Sequence, residues 1–272
     1  IVEALVHVEH HGHRRPRQCP AGDYLPCWRN AITRLVSRDG GATFETPRDG
    51  RLVATSPYRY TGREGRRTGY FTPSNIFGWG EHVYAFLLAE ALGAQRRGPC
   101  LMRRDADDPL GAWFAHDGDA FAVRFADPYA SRIDAPARHV CEPVRGVDTT
   151  LTSVARRAGD DVFVAVTPAT LRDETGALRS GIWWTTSEDL LDWTRPRLLM
   201  PAPLLWRPDC AQDASFAYPA NLDDDGPSRM FDVVDDAFWL YLPRFELDAD
   251  CRAAARRDLI RFPVETVRKT TR

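Results

Sequence analysis

Groups able to move protons crowd the N-terminal stretch, where His7, Glu9, His10 and His11 stand almost side by side. Strand alternation would put His7 and Glu9 on one face. A carboxylate among imidazoles suits acid–base work, because a nearby imidazolium favours the ionised acid and burial favours the neutral one. The same residue types can bind metal, but no His-x-x-x-His helical spacing occurs, and no metal and no cofactor are expected. Asp127, Glu142 and Asp148 supply further carboxylates. Asp127-Pro128-Tyr129 also reads as a plain turn. Two acids flanking one bond, one as proton donor and one as nucleophile or base, are what glycoside hydrolysis requires. Glu9, Glu142 and Asp148 are the candidate catalytic residues on that ground.

The candidate binding residues are more scattered. Arg59 lies between Tyr58 and Tyr60, a grouping suited to stacking on a sugar ring. Ser74 and Asn75 bring polar groups into an otherwise apolar strand. Arg103, on a central strand, needs an acidic partner or a ligand. Tyr218 precedes Pro219 at the opening of a strand, and Arg244 and Glu246 share a face at the end of another. His7 and His10 complete the set.

The elements that must position these residues are strands. Val2, Ala4, Val6 and Val8 alternate with Glu3, Leu5, His7 and Glu9, so Ile1 to His10 reads as a strand. A long loop with Pro16, Pro20 and Pro26 follows. Further strands are expected over 30–36, 51–54, 69–77, 82–89, 98–103, 120–125, 148–155, 162–167, 181–186, 215–222, 238–245 and 258–264. Residues 252–257 could form one helical turn; otherwise no convincing helix is visible. Hydrophobic residues make up 43% of the 272, enough for one large all-β domain or two small ones. The net charge of −2 gives no global electrostatic case for nucleic acid or an anionic membrane. Lys269 is the only lysine. No apolar run is long enough to cross a bilayer as a helix.

Three polar turns close on aromatic residues. Ser37-Arg38-Asp39-Gly40-Gly41-Ala42-Thr43-Phe44 reads as a tight hairpin turn. Asp39 is placed to accept backbone amides, Gly40 and Gly41 permit positive φ, and Phe44 would cover the apolar side. This pattern resembles the Asp-box of sialidases and related propellers. Ser187-Glu188-Asp189-Leu190-Leu191-Asp192-Trp193-Thr194 resembles the Ser-x-Asp-Leu-x-x-Trp hairpin of five-bladed propeller glycoside hydrolases, such as families 43 and 32. A degenerate third turn runs from Arg104 to Trp113. Their spacing suggests radial repetition. The resemblance implies an all-β, five-bladed β-propeller over 1–272 as a single domain, with four blades visible and the first partial. It places the Asp39 and Asp189 turns opposite the ligand-binding mouth, and strand ends such as Glu9 and Asp148 at the mouth. The Asn-Asp-Pro motif of family 32 is absent, and Ala217-Tyr218-Pro219 stands where family 43 has Glu-Gly-Pro. No catalytic residue is carried over from either family.

The even cysteine count (Cys19, Cys27, Cys100, Cys141, Cys210, Cys251) permits three bridges, and Cys19 with Cys27 could close the Pro-rich loop. A secreted or periplasmic protein is expected. The expected activity is hydrolysis of a poly- or oligosaccharide by a single chain acting alone. A non-catalytic carbohydrate-binding propeller is the alternative, and a polysaccharide lyase the third reading.

Overall fold

A computed structural model describes residues 1–266 apart from 16, 21 and 49. Pro16 and Lys269, noted above, lie outside the described residues. The fold is all-β. Among the described residues the only helical pieces are two short 3-10 turns, Gly12–Arg14 and Pro136–His139. The chain forms two compact units, Ile1–Val144 and Arg145–Arg272.

The first unit contains β1 (Val2–His11), β2 (Trp28–Ser37), β3 (Leu52–Ala54), β4 (Thr68–Phe71), β5 (Phe77–Trp79), β6 (His82–Ala89), β7 (Gly98–Asp105) and β8 (Phe114–Ala115). Their sheet order is β1-β2-β4-β6-β7-β8, with β3 paired to β2 and β5 to β6. β1 and β2 pair antiparallel in unbroken register from Val2↔Ser37 to His11↔Trp28. The apolar side of β1 does not face the core. Val2, Val6 and Val8 are exposed, whereas Leu5 packs on a core that includes Ile32, Tyr70, Leu87 and Met102. The reason is Glu3, whose side chain is 4% exposed and lies within 2.6 Å of both Arg34 and Arg104.

Two expected elements are interrupted or replaced. The strand expected over 69–77 breaks between β4 and β5, where Thr72 has φ 43° ahead of Pro73. The segment expected as a strand over 120–125 contributes a single bridge, Ala115↔Val123, while the paired strand is β8. β2 also pairs in parallel with β4 through Arg29↔Thr68 and Asn30↔Gly69, joining what the sequence suggests are separate blades. Gly69 permits this approach: its φ is +96°, and a Cβ there would overlap the Asn30 carbonyl.

The second unit holds β9 (Ser153–Arg157), β10 (Phe163–Arg172), β11 (Leu178–Ser187), β12 (Arg197–Pro201), β13 (Ala214–Phe216), β14 (Ala220–Leu222), β15 (Val233–Val234), β16 (Ala237–Leu247) and β17 (Ala253–Glu265). One sheet runs β12-β11-β10-β9-β15; the other runs β13-β16-β14, with β17 on β16. The strand expected over 215–222 is split at Tyr218, which has φ 52° before Pro219. The helical turn expected over 252–257 is instead the start of β17. Long antiparallel pairing with β16 outweighs the intrinsic helical preference of its alanines and arginines. Val166, Ile182, Leu204, Leu240 and Leu242 form one of this unit's cores.

The cysteines form three bridges: Cys19–Cys27, as the loop suggests, with Cys100–Cys141 and Cys210–Cys251. The Asp39 turn forms through its side chains. Asp39 accepts from the Thr43 amide (2.9 Å), the Thr43 hydroxyl (2.6 Å) and the Ser37 hydroxyl (2.7 Å). Phe44 does not cover it, being 44% exposed. In the second turn Asp189 accepts from the amides of Leu191 and Asp192 at 2.9 and 2.8 Å, and Trp193 is buried with its indole N–H on the Leu190 carbonyl. Trp113 closes the third turn, buried, its indole N–H 3.0 Å from Glu3.

Candidate functional site

The end of β1 presents two faces. On one, His7, Glu9 and His11 follow at every second residue. The Glu9 carboxylate lies 2.8 Å from His11 Nε2 and 3.8 Å from His7 Nε2. Aromatic rings extend this face: His11 stacks on Tyr24 at 5.4 Å and on Trp28 at 6.0 Å, and Tyr24 and Trp28 stand 5.1 Å apart. Arg67 lies 5.8 Å over the Trp28 ring and pairs with Glu90, which is nearly buried and also faces Arg97. Burial, with the Glu9 charge adding to it, raises the Tyr24 phenol above its ordinary value and keeps it protonated. The face thus offers a partly exposed carboxylate with imidazole partners beside an aromatic platform. Such a surface can bind a sugar ring and exchange a proton with it.

His10 points to the other face, as alternation requires. It lines a cleft of about 650 Å³ with Arg29, Tyr60, Asp127 and Tyr129. His10 packs edge-on against Tyr60 at 5.1 Å. Burial, then the nearby Arg15 and Arg29, lower the His10 pKa and hold the imidazole neutral. Arg29 is 7% exposed; its Nη2 donates to the carbonyls of Ser56 (3.2 Å) and Tyr58 (2.7 Å). Tyr129 lies between Arg29 and Arg59, whose guanidinium carbons stand 6.0 and 5.4 Å from its ring.

The remaining sequence candidates are distributed as follows. Tyr58 and Arg59 touch lining residues of the cleft without lining it themselves, the Tyr58 carbonyl through Arg29 and Arg59 through Tyr129, and the Tyr58 hydroxyl accepts from the Ala94 amide at 2.9 Å. Ser74 fastens the backbone, accepting from the Phe86 amide and donating to the Asn75 carbonyl. Among the described residues no acid pairs with Arg103, which stacks 4.3 Å over Phe121. Glu142 pairs with Arg96 beside a separate hollow. In the second unit Asp148 is exposed. There Arg244 lies 3.0 Å from Asp213, 3.6 Å from Asp258 and 3.7 Å from Glu246, and Tyr218 is exposed near Phe245.

No protein-family model matches the chain, and no curated protein matches it in sequence. Among solved structures, a candidate glycoside hydrolase from Parabacteroides distasonis aligns with a TM-score of 0.43 at 10% identity, over 88% of this chain and 64% of that one. The GH93 α-L-arabinofuranosidase of Fusarium graminearum aligns with a TM-score of 0.36 at 12% identity, over 87% of this chain and 57% of that one. The α-L-arabinanase of Cellvibrio cellulosa aligns with a TM-score of 0.32 at 11% identity, over 88% and 91%. The chain therefore spans less than two thirds of the length of the first two.

Sequence reasoning missed the Tyr24 and Trp28 rings that continue the Glu9 face, the Arg67–Glu90 pair beside Trp28, and Arg29 in the cleft. Two signals were available. Trp28 falls opposite His11 once β1 and β2 are paired, and Arg29 sits beside it in a strand that alternates apolar residues with polar ones.

Proposed function

We propose that the chain is a carbohydrate-active enzyme, a glycoside hydrolase acting on a poly- or oligosaccharide, with Glu9 as its acid–base carboxylate. The observation that carries this is Glu9 hydrogen-bonded to His11, near His7, on a face continued by Tyr24 and Trp28. The aromatic platform supplies sugar stacking, and the imidazoles supply hydrogen-bonding partners beside Glu9. Within the first unit, Glu90 and Glu142 are the candidates for the second carboxylate. Glu90 has the advantage of reaching the same platform through Arg67. The reading includes a single five-bladed propeller as the whole fold, a chain that acts as a monomer, and an extracellular or periplasmic setting consistent with three disulfides.

The test is Glu9→Gln, which keeps the shape and removes the titratable group. Turnover should fall by about 10²- to 10⁴-fold in kcat, the usual worth of acid–base catalysis, with substrate binding largely retained. Near-normal turnover would remove Glu9 from the catalytic set. Binding of glycans with no turnover by the unmodified protein would leave a binding-only propeller.

A further inference from the structure

We propose that the cleft on the His10 face is a binding site for a sugar acid, a pyranose ring carrying one carboxylate, with Arg29 as the group that receives that carboxylate. It lies on the opposite face of β1 from Glu9 and stands or falls apart from the hydrolase reading.

Arg29 is a buried cation with an incomplete set of partners. Its Nη2 is satisfied by two carbonyls, but its Nη1 has no hydrogen-bond partner, and no carboxylate among the described residues lies within ion-pair distance. A buried guanidinium left in this condition is costly, and a carboxylate is the ligand whose geometry fits its free edge. The other buried arginines of this unit differ, since Arg34 and Arg104 both close on Glu3. Burial lowers the Arg29 pKa, and the nearby Tyr129, Glu64 and Asp127 offset part of that without closing an ion pair.

The surroundings select a sugar acid over other anions. Tyr60 provides an aromatic face for a ring, and Gln18 and Thr61 line the same cleft with hydrogen-bonding groups. Asp127 also lines it, with one carboxylate oxygen already accepting from the Tyr129 amide at 2.9 Å. That acid can accept from sugar hydroxyls, but it repels a doubly charged phosphate more than a single carboxylate. Tyr129 is 59% exposed, and its hydroxyl is tied to the Tyr60 amide at 2.8 Å. Its ring stands over Arg29, so entry of the ligand requires that ring to swing aside.

The experiment is calorimetric titration of the whole chain with galacturonate and glucuronate, against galactose, glucose and inorganic phosphate. The uronates should bind at least about tenfold tighter than the neutral sugars, one charge-assisted contact being worth about that much. Arg29→Gln should abolish the preference. Because Arg29 also holds two backbone carbonyls, Asp127→Asn provides the second arm. It keeps an acceptor for the Tyr129 amide, removes a competing charge, and should tighten uronate binding several-fold. Equal binding of uronates and neutral sugars, no uronate binding, phosphate binding as tightly as uronate, or an unchanged uronate affinity in Asp127→Asn would each overturn the proposal. Uronate binding without glycan turnover would leave this site standing and remove the hydrolase. Turnover of a neutral glycan without uronate preference would do the reverse.

Discussion

At one end of the β1–β2 ladder, Glu3 meets Arg34, Arg104 and the Trp113 indole. At the other end, Glu9 is partly exposed, and among the described residues neither Arg29 Nη1 nor either atom of the Asn30 amide has a hydrogen-bond partner. Both ends lie on one antiparallel pair with one register. The Glu3 end sets one carboxylate between two guanidiniums and ties β1 to β7 and to the loop before β8, since Arg104 also donates to the Asp105 and Asp108 carbonyls, and Arg34 to the Leu110 and Gly111 carbonyls. Arg34 Nε, though close to Glu3, is held as an ion pair and not as an aligned hydrogen bond. A satisfied buried network rigidifies the fold, whereas polar groups left open near a cleft are available to a ligand.

The largest effect expected from this contrast is that of Glu3→Ala. Removing the acid leaves two buried guanidinium groups without their carboxylate. Breaking a buried pair from one side costs on the order of 3–5 kcal/mol. The denaturant midpoint should fall accordingly, with the slope unchanged. A loss below about 1 kcal/mol would show that the Glu3 end does not hold the first unit together, and the contrast between the two ends would collapse.

Asn30→Ala examines the opposite end. Asn30 is 1% exposed, yet neither side-chain amide atom has a hydrogen-bond partner among the described residues. Truncating an unpartnered polar group removes a desolvation cost along with its packing, so stability should change by less than about 1 kcal/mol in either direction. Equilibrium unfolding of the two variants side by side measures the difference directly. A loss as large as that of Glu3→Ala would mean that Asn30 is structural, and that the Glu9 end holds the fold as firmly as the Glu3 end does.

What the sequence disclosed depended on whether the cause was local. β6 (His82–Ala89) was legible to the residue, because an apolar run is bounded by the Gly80 turn and Glu90. The Cys19–Cys27 bridge was legible because the two cysteines bracket one short loop. The Asp39 turn was legible in its hydrogen bonds but not in Phe44, whose exposure is set by what surrounds the turn. The inward face of β1 was hidden because its cause, Arg104, lies 101 residues from Glu3. Arg29 was hidden for a related reason: a basic residue in a strand reads as surface until the loops that carry Ser56, Tyr58 and Tyr129 are seen to close over it. The shared face of His7 and Glu9 followed from alternation alone, and that same rule separates His10 from them.

The smallest effect concerns the turn at the Glu3 end, just beyond the Val2↔Ser37 pair. The Asp39 carboxyl is held well below the usual carboxylate range. The Thr43 hydroxyl contributes most, followed by the Thr43 amide and the Ser37 hydroxyl, and all three bind the ionised form. A carboxyl whose pKa is depressed by folding contributes stability that is fully present above its unfolded value, about 3.9, and is lost as pH falls toward the folded value. Asp39→Ala should therefore lower Tm slightly and by a constant amount at neutral pH. The gap from the unmodified protein should narrow as pH drops below about 4. The side chain lies on the solvent side of its turn, so the gap should also be unaffected by sugar ligands that bind at Glu9 or Arg29. A Tm difference that widens in acid would mean that the ionised form is not the one these bonds hold. A difference that depends on ligand would place the turn next to the sites, where the sequence resemblance says it is not.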